Sequence, residues 1–176
     1  MILKRHIRPN GTWAYAEYSS SEKYRYSLAL RWDFSDEGRY LNFLMLNPST
    51  ATELANDPTV EGCERRAMEW GYAGVTITNI FAYRATDPGE MKAQADPVGA
   101  WNDKTIFDEA RYSGMVVCAW GNHGEHLGRG EAVSKMLTDF GVTLHALKVN
   151  KSGHPQHPLY VARAVKPEVW VPSFGE

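Results

Sequence analysis

Four short segments, with Asn79 just before the second of them, carry the side chains of this chain best suited to chemistry: Asn47-Pro48-Ser49-Thr50, residues 81–87, Trp120-Gly121-Asn122-His123 and His154-Pro155-Gln156-His157-Pro158. Pro48 holds Asn47 extended, so its amide projects where it can orient a water or a ligand; an Asx-type turn is the alternative. Asn79 sits between apolar neighbours, where an amide is costly unless partnered, and it either offers a donor and an acceptor to a planar heterocycle or serves as a buried structural amide. Arg84, with Ser49, Thr50 and Lys151, is a candidate for phosphate, although a single loop arginine also suits simple solvation. His154 and His157 are stiffened by Pro155 and Pro158, which suits imidazoles that polarise an oxygen or accept a proton. His123 and His126 repeat the same spacing around Glu125, and the two pairs together are the alternative of a zinc-dependent hydrolase. On a loop, that spacing has none of the facial logic of a helical HExxH, and no metal or other cofactor is expected. Trp120-Gly121 allows close backbone approach to a ligand or ordinary packing. P-loop, GxGxxG and GxSxG motifs are absent from the sequence, which removes the main support for the corresponding nucleotide and hydrolase classes.

These segments each follow an apolar run: residues 40–46, 75–80, 115–119 and 142–147. Helix-like stretches separate the runs, so the expectation is four parallel strands with right-handed crossovers, and loops meeting at the carboxyl edge of the sheet. Residues 24–32 alternate as a strand, with residues 33–38 as the turn of an antiparallel hairpin into the first sheet strand. Thr59 is a plausible N-cap for a helix to Trp70, closed by Gly71. Asp96-Pro97 opens a second helix reaching Tyr112, and residues 131–140 form a third with Gly141 at its end. Residues 1–20 read as an arm, and residues 159–176 as a proline-broken tail packed by Tyr160 and Trp170.

The 176 residues suit one domain, with the core over residues 24–170, and 43% apolar content is enough for a core. A formal net charge of -2 is not that of a protein that grips long phosphate backbone by bulk electrostatics, so any DNA contact is expected to be local. Cys63 and Cys118 lack CxxC spacing, and neither suits a disulfide or an iron-sulfur cluster. No apolar run reaches membrane-spanning length and no apolar leader segment follows the basic first residues, so a cytoplasmic protein without membrane contact is expected.

The ordered set LNPSTA (46–51), DPT (57–59), WGY (70–72), TNIFAYRATDP (78–88), AWG (119–121) and GHPQHPLY (153–160) resembles the bacterial and phage family called domain of unknown function 1643. More distantly it is similar to the uracil-DNA glycosylase superfamily. That resemblance implies a three-layer α/β/α sandwich with a four-stranded parallel core sheet in order 2-1-3-4, plus the N-terminal antiparallel strand. It also implies a nucleobase, a nucleotide or locally bound DNA as ligand. Asn47 then looks like the water-positioning residue, Asn79 like the base reader, and His154, or else His157, like the group that stabilises charge on the departing base. Phe81, Tyr83 and Trp120 are candidates for the aromatic wall that a flipped base requires. The chain departs from the superfamily at Ser49-Thr50, where mismatch-type members carry glycine, and after His157, where the phosphate-pinching serine loop is missing. A non-catalytic module binding a nucleotide or modified base is the alternative.

Overall fold

The apolar runs form strands because their side chains are covered on both faces. In the computed structural model, which describes residues 1–35 and 39–174, the strands are β1 (Ile2–Ile7), β2 (Trp13–Tyr18), β3 (Arg25–Arg31), β4 (Tyr40–Met45), β5 (Gly74–Asn79), β6 (Met115–Cys118), β7 (Leu144–Ala146) and β8 (Glu168–Val169). The helices are α1 (Pro58–Glu69), α2 (Pro88–Lys92), α3 (Asn102–Tyr112) and α4 (Arg129–Asp139). Asp36, Glu37 and Gly38, read from sequence as part of a turn, lie outside the described residues.

All strands join one sheet in the order β1-β2-β3-β5-β4-β6-β7-β8. Pairing is antiparallel for β1 with β2, β2 with β3, β3 with β5 and β7 with β8, and parallel for β4 with β5, β4 with β6 and β6 with β7. This eight-stranded mixed sheet, antiparallel at most of its pairings, corrects the expected three-layer sandwich on a four-stranded parallel core. Two local causes account for the difference. Residues 1–20 are not an arm: β2 alternates its side chains and buries Ala14, Ala16 and Tyr18 against the sheet, while β1 pairs along its whole length. In addition, β3 forms no hairpin with β4; it lies between β2 and β5, with Leu28 opposite Ile77 and Leu30 opposite Val75.

One face of the sheet packs Val60, Cys63 and Ala67 of α1 against Val75, Ile77 and Val117. The other packs Ile106 and Ala110 of α3 and Val133 and Leu137 of α4 against Leu44, Val116 and Cys118. Helix α1 is capped by Asp57 rather than Thr59, the Asp57 carboxylate accepting from the Val60 N–H at 2.8 Å, with Pro58 in the first turn where its missing N–H costs nothing. Asp96 opens no helix. Its Oδ1 accepts from the N–H groups of Val98 and Gly99, an Asx-type turn, and α3 starts only at Asn102. Gly141, at φ 79°, takes the left-handed position just past α4. Among the described residues no helix is long and apolar enough to cross a membrane.

Strand β5 crosses so close to β3 at Gly74 that a Cβ there would stand 2.5 Å from the Leu30 carbonyl oxygen and 2.7 Å from Arg31 Cδ. A backbone carbonyl held in a ladder cannot yield as a side chain can. Gly74→Ala is therefore expected to destabilise the fold by about 1–3 kcal/mol, as overpacking does. Urea unfolding checks this; an unchanged midpoint would show that β3 and β5 can separate locally without cost.

Candidate functional site

The three parallel pairings bring the ends of β4, β5, β6 and β7 to one edge, and loop-to-loop hydrogen bonds lock them there. Asn47 Nδ2 donates to the carbonyls of Ala85 (2.8 Å) and Pro48 (3.1 Å), while the Ala85 N–H donates back to Pro48 O at 2.9 Å. The Gly121 N–H donates to Pro155 O at 2.8 Å, from a backbone conformation (φ 72°, ψ -173°) that only glycine adopts readily. Asn122 Oδ1 accepts from Asn150 Nδ2 (2.8 Å) and Ser152 Oγ (2.7 Å), tying the loop after β6 to the loop after β7. Between these loops and the N-terminus of α1 lies a cleft of about 700 Å³. Its size falls within the range of small-molecule sites.

Several of the residues singled out in the sequence line this cleft: Asn47, Ser49, Thr50, Asn79, Trp120 and His157. Because both Asn47 N–H groups are spent on carbonyls, its amide orientation is determined, and Oδ1 is left as an acceptor. Asn79 is only 2% exposed, and its Oδ1 has no hydrogen-bond partner. An unsatisfied buried amide is worth about 1–3 kcal/mol to whatever completes it. The Nδ1 of His157 accepts from the Leu159 N–H at 3.3 Å, so the neutral ring carries its proton on Nε2 and acts as a donor there. Burial lowers the His157 pKa, and the nearby Asp57 charge opposes this in part.

Other expected site residues lie elsewhere. His154 is buried behind the cleft wall, its Nδ1 accepting from Trp120 Nε1 at 3.1 Å and its ring against Phe174. It holds the Trp120 indole and is not among the residues that line the cleft. The Trp120 ring is 1% exposed and packs edge-on to Trp170, with Gly124 and Gly130 close against it, so it offers no open face for stacking. Phe81 is in the core beside His126, and Tyr83 packs edge-on to Tyr24; neither lines the cleft. Arg84 donates to Glu22 O and lies over Tyr18, and Lys151 is exposed away from the lining. Of the four histidines of the zinc alternative, His123 and His157 line the cleft, but among the described residues no three His, Cys, Asp or Glu side chains group as metal ligands.

Three lining residues escaped the sequence reading. Tyr160, expected to pack the tail, is 78% exposed at the cleft, with its ring 5.9 Å from that of His157. Asp57 caps α1 and lines the cleft, a role legible in the Asp-Pro-Thr signature once the cap is placed at aspartate. Arg25 is the third, and its signal was a lone cation at the head of an apolar alternating strand. It is 2% exposed, and its guanidinium donates to Ala51 O at 2.5 Å while Nε has no partner.

Fold and cleft together define a mixed α/β protein with a ligand-sized site at converging strand ends. Residues 25–159 match the family described as Protein of unknown function (DUF1643), and the chain belongs to that family. No curated protein and no solved structure matches it.

Burial lowers the pKa of both His154 and His157 below 6.5. Unfolded histidines then bind more protons than folded ones as the pH falls through 6.5, so stability is full above that pH and declines below it. Denaturation midpoints measured from pH 7.5 to pH 5 are expected to fall on the acid side, with a shallower decline in His154→Gln. A flat profile would show that both rings titrate as if exposed. Removing the α1 cap in Asp57→Ala is expected to cost about 1 kcal/mol in the same assay at pH 7.5.

Proposed function

We propose that the cleft receives a nucleobase and that, in a ligand with an N-glycosidic bond, the surrounding groups hydrolyse it. The observation that carries this reading is Asn79: a buried amide at the cleft whose oxygen lacks a partner, a group that pairs naturally with the donor edge of a planar heterocycle. Asn47 Oδ1 supplies an acceptor that orients a water, and His157 Nε2–H supplies a donor where negative charge grows on the departing base. As the C1′–N bond breaks, its electron pair passes to the base. The water oxygen bonds C1′ and releases its proton to solvent, since an amide orients a water but does not deprotonate it. The motif-level resemblance to the uracil-DNA glycosylase superfamily supports the same reading. The role it implies for His154 passes to His157, the histidine that lines the cleft. Tyr160 takes the place of Phe81, Tyr83 and Trp120 as the ring available for stacking.

Base release from nucleosides, nucleotides and uracil-, mismatch- and modified-base oligonucleotides tests the proposal. Asn47→Ala and His157→Ala are each expected to lower turnover on the order of 10²-fold or more, since each removes a preorganised group acting in the transition state. His154→Ala is expected to lower the melting temperature more than it lowers turnover. Asn79→Ala should relax the choice of base. Binding by the wild type with no base released anywhere in the panel would leave a binding module. Undiminished turnover in both alanine variants would overturn the assigned roles.

A further inference from the structure

We infer that the Arg25 guanidinium is an anion subsite of this cleft and takes the terminal phosphate of a nucleotide. The inference rests on the nucleobase reading above and adds a charge to its ligand. Arg25 is buried with almost nothing to hold it: one hydrogen bond to the Ala51 carbonyl, an unpartnered Nε and, among the described residues, no carboxylate within 4.0 Å. A guanidinium has five donors in a rigid fork that matches a phosphate bidentately, and leaving it desolvated and unpaired is costly.

The charges of Asp57 and Glu53 favour the Arg25 cation from a distance, with neither carboxylate within 4.0 Å of it among the described residues. Asp57 accepts from the backbone N–H groups of Val60 and Ala51, and Glu53 accepts from the Tyr18 hydroxyl at 2.8 Å. Burial draws the Arg25 pKa down only to about 10, so it stays cationic at neutral pH. Thr59, in the first turn of α1, lines the same cleft, where the Asp57 carboxylate already meets the positive end of the helix.

A terminal phosphate is favoured over a polynucleotide backbone because Arg25 is the sole lysine or arginine among the described lining residues and is enclosed. Nucleic-acid binding draws on several cations spread along a surface. Arg84 and Lys151 lie outside the lining, and the chain carries a net charge of -2.

Calorimetric titration of the whole protein with nucleoside 5′-monophosphates, the matching nucleosides, inorganic phosphate and a single-stranded oligonucleotide tests this. The wild type is expected to bind at least one monophosphate roughly 10- to 100-fold more tightly than its nucleoside, the usual worth of charge-assisted hydrogen bonds. Arg25→Met should erase that ratio and Arg25→Lys should reduce it, with circular dichroism confirming that each variant folds. The wild-type ratio stands as a test even where a variant does not fold. Equal affinity for nucleoside and nucleotide would overturn the subsite while leaving the nucleobase reading intact. Arg25-dependent binding of inorganic phosphate with no gain from any base would support the subsite and remove that reading. Tighter binding of the oligonucleotide than of any monophosphate would overturn the assignment to a terminal phosphate, and absence of all binding would overturn the subsite outright.

Discussion

The cleft exists because loops at the edge of the sheet are held to one another by backbone hydrogen bonds, and the most consequential of these is the bond from Gly121 to Pro155. Strand β6 must end in a turn that points an N–H at the neighbouring loop, and the backbone angles this requires exclude side chains. With that bond made, Pro155 is anchored and the two histidines on either side of it are sent to different places. His154 goes behind the wall against Trp120, and His157 comes forward over the cleft. The reciprocal bonds between Asn47, Pro48 and Ala85 do the same for the loops after β4 and β5. Without these ties the strand ends would still be neighbours, but the polar groups on them would have no common focus.

A second constraint is the alternation of side chains across the strands. Val75, Ile77 and Asn79 follow one another on the face that α1 covers, and Val117 and Ala119 share it. Cys118 and Trp120 therefore face the opposite side with α4. This is why Asn79 reaches the cleft while the Trp120 ring, one residue past the end of β6, is committed to the core. The same alternation was available in the sequence, and it would have argued against Trp120 as a stacking surface. What hid it was the turn chemistry of Trp-Gly, which draws attention to the backbone.

The four apolar runs and the bodies of α1 and α4 were legible because their periodicity is local, while their starts were not: α1 is capped by Asp57 rather than Thr59, and α4 opens at Arg129 with no side-chain cap, ahead of the expected residue 131. The antiparallel half of the sheet was not legible. In β2 the inward positions are alanines at 14 and 16, whose weak apolar signal between Trp13, Tyr15 and Glu17 reads as a loop until the strand is seen paired on both sides. The neighbour of β3 is a tertiary choice: only burial against α3 and the pairing of Leu28 and Leu30 with β5 place it away from β4. The exchange of His154 for His157 has the same origin, since both flank one proline and nothing within five residues of sequence distinguishes them. Arg25 was missed because an isolated arginine in a strand is ordinarily solvated, and the carbonyl that its guanidinium meets, Ala51 O, lies 26 positions away in sequence.

The central claim is that an unsatisfied amide at the cleft recognises a planar heterocycle. It is tested most directly by following the side-chain amide resonances of Asn79 and the backbone resonance of Gly121 by NMR while free nucleobases and nucleosides are added. The account predicts saturable shifts at Asn79 and Gly121 with at least one base, accompanied by residues along the ends of β4 and β7. Shifts confined to surfaces outside the cleft, or an Asn79 amide that stays unmoved while ligand binds, would contradict it.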